Sequence, residues 1–308
     1  MQFLHRLHFV TLEQLEAFLA VAEWRTFTGA ARQLGVSQPT LSRQLQSLEH
    51  ELSVRLVVRT PRGVVLTEPG GRFLRRAREA LDVLRQGTSE LHELAQTPRG
   101  PVSIGALPTV GAYALPALIE AFLEEHPQIE IRLAEGLASE LEDRVAGGDL
   151  DFAITTLPLH RVDLVTQKLW SEPYMLAVPR GHRLSKARKA VPLTTAACEP
   201  LVIVGGSAAN AALGAACEAH GQKPRIAIEV DHPQSQRRMV ERGVGVALMP
   251  AIMARDHAGG RFDVVEVQAA PRRTVALVHR GESSLTYGAR ALKRFMADRL
   301  RRRDTEPG

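Results

Sequence analysis

The sequence predicts an α/β protein with an N-terminal winged helix-turn-helix, a long linker helix and a C-terminal region of alternating strands and helices. Three observations carry this prediction. Residues 28–52 show two helical patterns separated by a glycine, residues 68–98 keep a heptad spacing, and residues 101–308 alternate between β and α patterns. A chain of 308 residues has room for about two domains.

The helix-turn-helix is indicated by residues that suit the ends of helices. We expect Thr28 to cap a short helix that ends at Leu34, and Gly35 to supply the left-handed turn that closes it. Ser37 suits the cap of the second helix, a contribution of about 1 kcal/mol. Pro39 would then lie in the first turn, where its missing N–H costs little.

The second helix divides into an apolar and a polar face. Four leucines at helical spacing predict one buried stripe, namely Leu41, Leu45, Leu48 and Leu52. The other face carries Gln38, Ser42, Arg43 and Gln46. Amides, hydroxyls and guanidinium groups near the start of an exposed helix match base edges and phosphates in the DNA major groove. The pattern predicts DNA recognition, and the alternative is a helical hairpin with a merely solvated polar face.

A β-hairpin is predicted directly after the second helix. Leu56–Arg59 and Val64–Leu66 are short apolar strands, joined by the turn sequence Thr60-Pro61-Arg62-Gly63. A hairpin in this position is a wing, and the arginine in its turn can enter the neighbouring minor groove, where the potential is most negative. The wing favours DNA recognition over a simple helical hairpin.

A long helix is predicted from Thr67, a suitable cap, to about Pro98, with a length of about 40 Å. Small or apolar residues follow a 3-4 spacing along it, at Leu74, Ala77, Leu81, Leu84, Thr88, Leu91 and Ala95. This heptad seam predicts pairing with a second subunit. The alternative is a long helix packed on its own domain.

From Pro101 onwards, strand and helix patterns alternate. Strands are predicted at Val102–Leu107, Glu130–Glu135, Asp151–Thr155, Tyr174–Val178, Leu201–Val204, Ile226–Val230, Val246–Leu248 and Val275–Val278. Helices are predicted at Ala112–Glu125, Ser139–Ala146, Ala208–His220, Gln234–Arg242 and Leu285–Arg303. The alternation predicts open α/β sheets, in which ligands collect at the carboxyl ends of the strands.

The sequence resembles the LysR-type transcriptional regulators. In the first part the resemblance is carried by Leu15–Glu23, Phe27-Thr28, Ala30-Ala31, Leu34, Val36–Pro39, Leu41–Gln44, Leu48-Glu49, Leu52, Arg55-Leu56, Arg59 and Leu66-Thr67. It extends to the end of the chain, because the last two-thirds look like the family's effector-binding region. It implies a winged helix-turn-helix at 1–67, a dimerisation helix at 68–98 and an effector-binding domain at 101–308. That domain would be periplasmic-binding-protein-like, with lobe I at 101–173 and 275–308 and lobe II at 174–274.

The resemblance also implies partners and a DNA interface. Double-stranded operator DNA, further copies of the chain in a homotetramer and RNA polymerase are the expected partners. The predicted DNA-binding residues lie in the helix-turn-helix and wing, and they are Thr28, Ser37, Gln38, Pro39, Thr40, Ser42, Arg43, Gln46, Arg59 and Arg62. Effector binding would alter the arrangement of the subunits on DNA.

A small organic effector, expected to be anionic, would bind at the carboxyl ends of the strands, where helix N-termini favour anions. The predicted effector-binding residues are Thr109, Ser139, His160, Arg161, Gly206, Ser207 and His232. Likeness to the family supports Thr109 most. The alternative for Thr109, Ser139 and Ser207 is an ordinary helix cap. Leu137 stands where many relatives have a second hydroxyl, which indicates a more apolar ligand.

Other function classes receive less support. The net charge of +5 and the pI near 9.6 favour a polyanionic partner only weakly. The sequence has no nucleophile elbow and no metal-ligand motif, so we predict neither an enzyme nor a cofactor or metal site. It has no apolar run of about 18 residues and no signal-peptide pattern, which predicts a cytoplasmic protein without a membrane span. A stand-alone solute-binding protein and a redox-sensing regulator using Cys198 and Cys217 are the alternatives.

Overall fold

The computed structural model describes residues 10–61, 63–94, 100–256 and 261–302. The chain divides into two compact units, residues 1–88 and residues 89–308. The boundary falls within the long helix, so the predicted linker at 68–98 does not form a unit of its own. Arg62 and Ala95, which the sequence assigned to the wing turn and the heptad seam, lie outside the described residues.

Among its described residues, the first unit contains four helices, the last of which continues beyond residue 88, and a two-stranded hairpin. In chain order these are α1 (Leu12–Trp24), α2 (Phe27–Leu34), α3 (Gln38–Glu51), β1 (Val57–Thr60), β2 (Gly63–Leu66) and α4 (Glu68–Leu94). The strands of the hairpin are antiparallel, with Thr60 opposite Gly63. Helix, turn, helix and wing therefore occur in the predicted order.

Side-chain caps fix the helix starts, with one correction to the sequence prediction. Ser37 Oγ accepts from Thr40 N at 3.3 Å, as predicted, and Gly35 adopts φ = 66° in the turn before it. The cap of α2 is Thr26, whose Oγ1 accepts from Gly29 N at 3.2 Å. The prediction of Thr28 as the cap is wrong, because α2 starts at Phe27, two residues before the start that a cap at Thr28 implies, and Thr28 lies exposed in its first turn.

The core of the first unit contains the predicted leucine stripe. Leu41, Leu45 and Leu48 are buried and pack with Phe18 of α1, while Leu52 is half-buried. Gln14 of α1 also forms hydrogen bonds to α3, because its Nε2 donates to Ser47 Oγ at 3.1 Å and to Glu51 Oε1 at 3.2 Å. These contacts hold α1 against α3 and fix which face of α3 points outwards.

The hairpin is anchored at both of its strands. Glu49 Oε1 of α3 accepts from Leu56 N at 2.7 Å and from Val57 N at 3.0 Å. On the other strand, Val64 N donates to Arg25 O at 2.7 Å. A charged acceptor that binds two backbone N–H groups forms comparatively strong hydrogen bonds, so the position of the wing is set by α3 itself.

The start of α4 packs against the first unit, which corrects the predicted heptad seam. Ala77 is 2% exposed, and Leu74 packs with it on the same core. The ring of Phe73 lies 5.4 Å from that of Phe18. Leu74 and Ala77 are therefore not available to a second subunit, because they complete the core of their own unit. Further along, Leu84 is 55% exposed and Leu91 is 66% exposed.

The second unit is built of alternating strands and helices. Its strands are β3 (Gly100–Ala106), β4 (Ile129–Glu135), β5 (Phe152–Leu157), β6 (Val165–Pro179), β7 (Leu201–Val204), β8 (Ile226–Val230), β9 (Ala247–Pro250), β10 (Phe262–Val265) and β11 (Arg272–His279). Its helices are α5 (Pro108–Tyr113), α6 (Pro116–Glu125), α7 (Ala138–Ala146), α8 (Leu193–Ala197), α9 (Ala208–Glu218), α10 (Pro233–Glu241), α11 (Ala251–Ala254) and α12 (Tyr287–Arg302).

Strand β6 passes through both lobes of this unit. Up to Pro173 it pairs with β11, and from Tyr174 it pairs with β9 and β10. Lobe I contains the order β11-β5-β3-β4, and lobe II contains β9, β10 and the parallel pair β7-β8. Each lobe has its own core, one around Phe122 and Phe152 and the other around Leu176 and Leu213.

Several elements differ from the sequence prediction. The predicted helix at Ala112–Glu125 is two helices, α5 and α6, because Pro116 starts a new helix after Tyr113. The predicted strand Tyr174–Val178 is only the second half of β6, and α8, α11 and β10 were not predicted.

Within the described ranges, no helix is both long enough and apolar enough to cross a lipid bilayer.

Gly70 allows α4 to approach the chain that precedes the wing. A Cβ at position 70 would overlap the carbonyl oxygen of Leu56, whereas a Cβ at Gly71 would meet nothing within 4 Å. We expect Gly70→Ala to lower the free energy of unfolding by about 1–3 kcal/mol, since backbone must move. Gly71→Ala is the matched control and should raise it by up to about 1 kcal/mol. Urea unfolding measures both, and equal effects would contradict the close contact.

Candidate nucleic-acid interface and effector cleft

The polar face of α3 is free of packing. Gln38, Pro39, Thr40, Arg43 and Gln46 are exposed, since the leucines on the other side of the helix are buried in the core. These side chains lie in the first turns of α3, the end that base-recognising helices direct towards DNA. The predicted residues of α3 therefore share one accessible surface, and the cap residue Ser37 lies at its start.

Arg59 joins the wing to α3. Its Nη2 donates to Ser42 Oγ at 3.1 Å, and its guanidinium carbon lies 4.1 Å from the centre of the Phe27 ring. A guanidinium over an aromatic face is held by a cation–π interaction. The side chain of Arg59 on β1 thus contacts both Ser42 on α3 and Phe27 on α2. These contacts bring the wing and the recognition helix together.

An open groove of about 920 Å³ runs between α3 and β1. Beside Ser42, Gln46 and Arg59, it is lined by His50 and Arg55, which the sequence analysis did not select. Both residues are basic, but the sequence pattern did not indicate that they lie next to the wing. Glu49 also lines the groove, and its Oε1 is already bonded to the two backbone N–H groups of the wing.

The parallel strands of lobe I end at one edge of the sheet. β3 pairs with both β4 and β5, so Ala106 stands opposite Glu135 on one side and Ile154 on the other. Thr109, Leu137 and the segment after Leu157 follow these three strand ends. The topology therefore gives the predicted lobe I residues a common edge, although their contacts differ widely.

Thr109 lies in a buried polar network. Its side chain is 4% exposed, and its Oγ1 accepts from Arg273 Nη1 at 2.9 Å. Arg273 also donates to Glu172 Oε1 from Nε at 2.9 Å and from Nη2 at 2.8 Å. The contact between Arg273 and Glu172 could not be predicted from the sequence. Each residue lies in a strand pattern, and only the pairing of β6 with β11 places the two opposite each other. Thr109 is not a cap, since its hydroxyl bonds to a side chain.

One predicted helix cap in lobe I needs correction. Ser139 does not cap α7, because the helix starts at Ala138 and the residue before it is Leu137. The N–H of Leu137 donates to Glu140 Oε2 at 3.2 Å, so a carboxylate inside the first turn binds back to the residue before the helix. Ser139 is exposed in the first turn, and Leu137 is 61% exposed.

Arg161 is not a free cation. Its guanidinium binds both carboxylate oxygens of Asp163 at 2.9 Å and Asp143 Oδ1 at 2.9 Å. Hydrogen bonds to Asp163, and then to Asp143, raise the pKa of Arg161 further above its ordinary value. The backbone N–H groups of His160 and Arg161 donate to the buried Glu142 at 2.8 and 2.9 Å. The charge expected to attract an anion is therefore balanced by acidic neighbours.

The lobe II residues have simpler surroundings. Ser207 Oγ accepts from Ala209 N at 3.3 Å, so it caps α9, and Gly206 before it adopts φ = 68°. His232 precedes α10 without a side-chain capping bond and is exposed. The two lobes meet beside it, where Tyr113 Oη donates to Gln234 Oε1 at 2.8 Å and accepts from Arg237 Nη1 at 3.2 Å.

Carboxylates lie at the strand ends of both lobes. A Cβ on Gly111 would overlap Oε1 of Glu135, and a Cβ on Gly205 would lie 2.9 Å from Oε1 of Glu229. Arg237, the arginine between the lobes, pairs with Glu241 at 3.1 Å and with Asp256 at 2.9 Å. The local electrostatics therefore favour an anion less than the sequence suggested.

The two cysteines differ in environment. Cys217 is fully buried in the lobe II core, and burial, with a smaller contribution from Cys198, raises the pKa of its thiol. Cys198 is exposed at the end of α8. In the part of the chain that the structure describes, no group of three or more histidine, cysteine, aspartate or glutamate side chains could hold a metal ion.

Comparison with known proteins matches both units. Residues 12–71 match the model of the bacterial regulatory helix-turn-helix protein, lysR family, and residues 95–301 match the LysR substrate binding domain. The chain is 32% identical over 280 residues to the DNA-binding transcriptional dual regulator OxyR of Escherichia coli K12, covering 90% of this chain and 91% of that protein.

Two further similarities extend over nearly the whole chain. A probable hydrogen peroxide-inducible genes activator of Mycobacterium avium is 33% identical over 279 residues, with 89% of each chain covered. A full-length OxyR variant from Pseudomonas aeruginosa has a similar structure, with a TM-score of 0.71 and 28% identity over 96% of this chain and 95% of that one.

Proposed function

The chain belongs to the LysR family of DNA-binding transcriptional regulators, and on that premise we propose how its residues divide the work. Gln38, Ser42 and Arg43 of α3 recognise base edges in the major groove, and Arg59 carries the contact across to the wing. The observation that carries this proposal is the single surface formed by the exposed face of α3 and the Arg59–Ser42 hydrogen bond of 3.1 Å. Thr28, Ser37, Pro39, Thr40, Gln46 and Arg62 complete the proposed interface.

A small organic molecule bound between the lobes modulates this activity, without a separate cofactor. Thr109 supports the proposal, because Arg273 donates to its oxygen and the hydroxyl proton is left to donate to a ligand. Such a ligand presents a hydrogen-bond acceptor. Since Arg161, Arg237 and Arg273 are all paired with carboxylates, a net negative charge on the ligand is not required. Ser207, His232 and the exposed Leu137 are further proposed contacts.

Redox sensing by Cys198 and Cys217 is the second candidate, favoured by the similarity to a probable hydrogen peroxide-inducible genes activator. The burial of Cys217 weighs against it. The thiolate is the reactive form of cysteine, and a raised pKa in apolar surroundings suppresses it. We therefore propose that ligand binding, rather than a thiol pair, is the input.

The remaining function classes follow from the family. A stand-alone solute-binding protein is ruled out by the lysR-family helix-turn-helix at residues 12–71. The relatives are transcription regulators, and we propose that this chain likewise has no enzymatic activity and acts in the cytoplasm, where its DNA would be found.

Subunit pairing is proposed for the second half of α4. Leu84 and Leu91 lie one heptad apart and are more than half exposed, as is the neighbouring Val83, which lies off the seam. Exposed leucines at heptad spacing are typical of a helix that pairs with another helix. Two paired subunits would present two copies of α3 to a two-fold operator, and further self-association would give the tetramer.

Base recognition can be tested with Gln38→Ala, measured on an operator duplex recovered by selection from random DNA. A lost bidentate contact should lower affinity for this duplex by about 1–3 kcal/mol and leave affinity for random DNA nearly unchanged. Gln33→Ala removes an exposed amide from α2 and should not change the ratio of the two affinities. If Gln38→Ala weakens both duplexes equally, Gln38 does not recognise bases.

Pairing through α4 can be tested in the full-length chain. Leu84→Asp with Leu91→Asp places unpaired charge in an apolar interface, which is energetically costly. The molecular mass measured by sedimentation should therefore fall to that of an assembly with fewer subunits. Val83→Asp alters an equally exposed apolar residue of the same helix and should leave the mass unchanged. An unchanged mass in the double variant would place the interface elsewhere.

A further inference from the structure

A buried ion pair lies where the strands pass between the lobes. Strand β6 passes from lobe I to lobe II at Tyr174, and Glu172 lies two residues before this point. Glu172 stands opposite Arg273 of β11. Glu172 is 6% and Arg273 is 7% exposed, and two hydrogen bonds of 2.8 and 2.9 Å join them. Trp170 Nε1 also donates to Glu172 Oε1, at 3.3 Å.

The two ions form hydrogen bonds to different helices. Arg273 Nη1 donates to Thr109 Oγ1 of α5 at 2.9 Å, and α5 follows β3 in lobe I. Glu172 Oε2 accepts from Ile252 N at 2.6 Å, and Ile252 lies in α11, directly after β9 of lobe II. The pair is therefore bonded to Thr109 of lobe I and to the backbone of α11, a helix between the lobes whose Ile252 packs on the lobe I core and whose Met253 is buried in lobe II. We call this set, Thr109, Glu172, Ile252 and Arg273, the interlobe clasp.

We infer that Glu172 and Arg273 are positioning residues, which hold the two lobes at one angle before any effector binds. Buried charges keep their stability only while their hydrogen bonds are complete. Thr109, Arg273 and Glu172 all lie in lobe I, so a change of angle that moves α11 away would remove the bond at Ile252 and leave the buried Glu172 short of a partner. The bond at Thr109 holds Arg273, and through it Glu172, in place for that contact. The clasp therefore opposes the change.

The clasp also couples effector binding to lobe angle, and this part rests on the proposed function. A ligand that accepts from the Thr109 hydroxyl leaves Arg273 bonded to the same oxygen, so it binds better at the lobe angle in which the clasp is complete. A ligand shifts a conformational equilibrium only by its differential affinity for the two states, and the clasp supplies such a difference. In this account the effector-free angle is set by Thr109, Glu172 and Arg273 together.

The angle can be measured without an effector or DNA. Spin labels on the exposed Cys198 of lobe II and on Glu124→Cys of lobe I report the distance between lobes in the full-length chain. Labelled chains are diluted with unlabelled chains, so that only distances within one chain contribute. Thr109→Val keeps the side-chain shape and removes the hydroxyl. It should broaden the distance distribution or shift its centre by more than about 2 Å, the scale of a genuine rearrangement.

Two controls separate positioning from general damage. Thr109→Ser keeps the hydroxyl and should restore the parent distribution. Asp163→Asn removes a carboxylate from the exposed pair with Arg161, which joins no lobes, and should leave the distribution unchanged. The double variant Glu172→Gln with Arg273→Met removes both ions at once, so neither is left buried alone, and it should broaden the distribution as Thr109→Val does.

A folded Thr109→Val chain with the parent distribution would overturn the inference, and so would an unchanged distribution in the double variant. Unfolding temperatures establish that each variant is folded. The proposed function would be contradicted by different results, namely a parent chain that binds DNA without sequence selectivity or that responds to no ligand. Neither result affects the distance measurement.

Discussion

The burial of three leucines of α3 is the constraint on which the DNA-recognition surface depends. Leu41, Leu45 and Leu48 are at most 2% exposed and pack on Phe18. Each fully buried leucine contributes on the order of 1.5–3 kcal/mol, so rotation of α3 about its axis is strongly disfavoured. The polar side chains of the other face must then point outwards, and the cap at Ser37 fixes where they begin.

In the second unit the corresponding constraint is electrostatic. Three arginines close to the proposed cleft are engaged, Arg273 with Glu172, Arg237 with Glu241 and Asp256, and Arg161 with Asp163 and Asp143. They position parts of the protein instead of offering free positive charge. In the proposed mechanism, Glu172 and Arg273, together with Thr109, connect ligand binding to the angle between the lobes.

Local signals made much of the fold predictable, as Ser37, Pro39 and Gly35 show, because a cap, a helix-start proline and a turn glycine act within a few residues. The polar face of α3 was predictable for the same reason. Long-range contacts were not. Arg273 became visible only through its pairing with Glu172, 101 residues away. Leu74 and Ala77 fit the heptad pattern equally well whether they face a partner or their own core, and packing decided for the core.

The leucine stripe of α3 should present its polar face to the DNA major groove. Dimethyl sulfate methylates guanine N7, which lies in that groove, so protection of a selected operator from this reagent tests the placement of α3 directly. We expect two protected patches, one for each α3 of a paired assembly, separated by about 10 base pairs or a multiple of that spacing. Tight binding that leaves every guanine N7 in the operator reactive would contradict this placement.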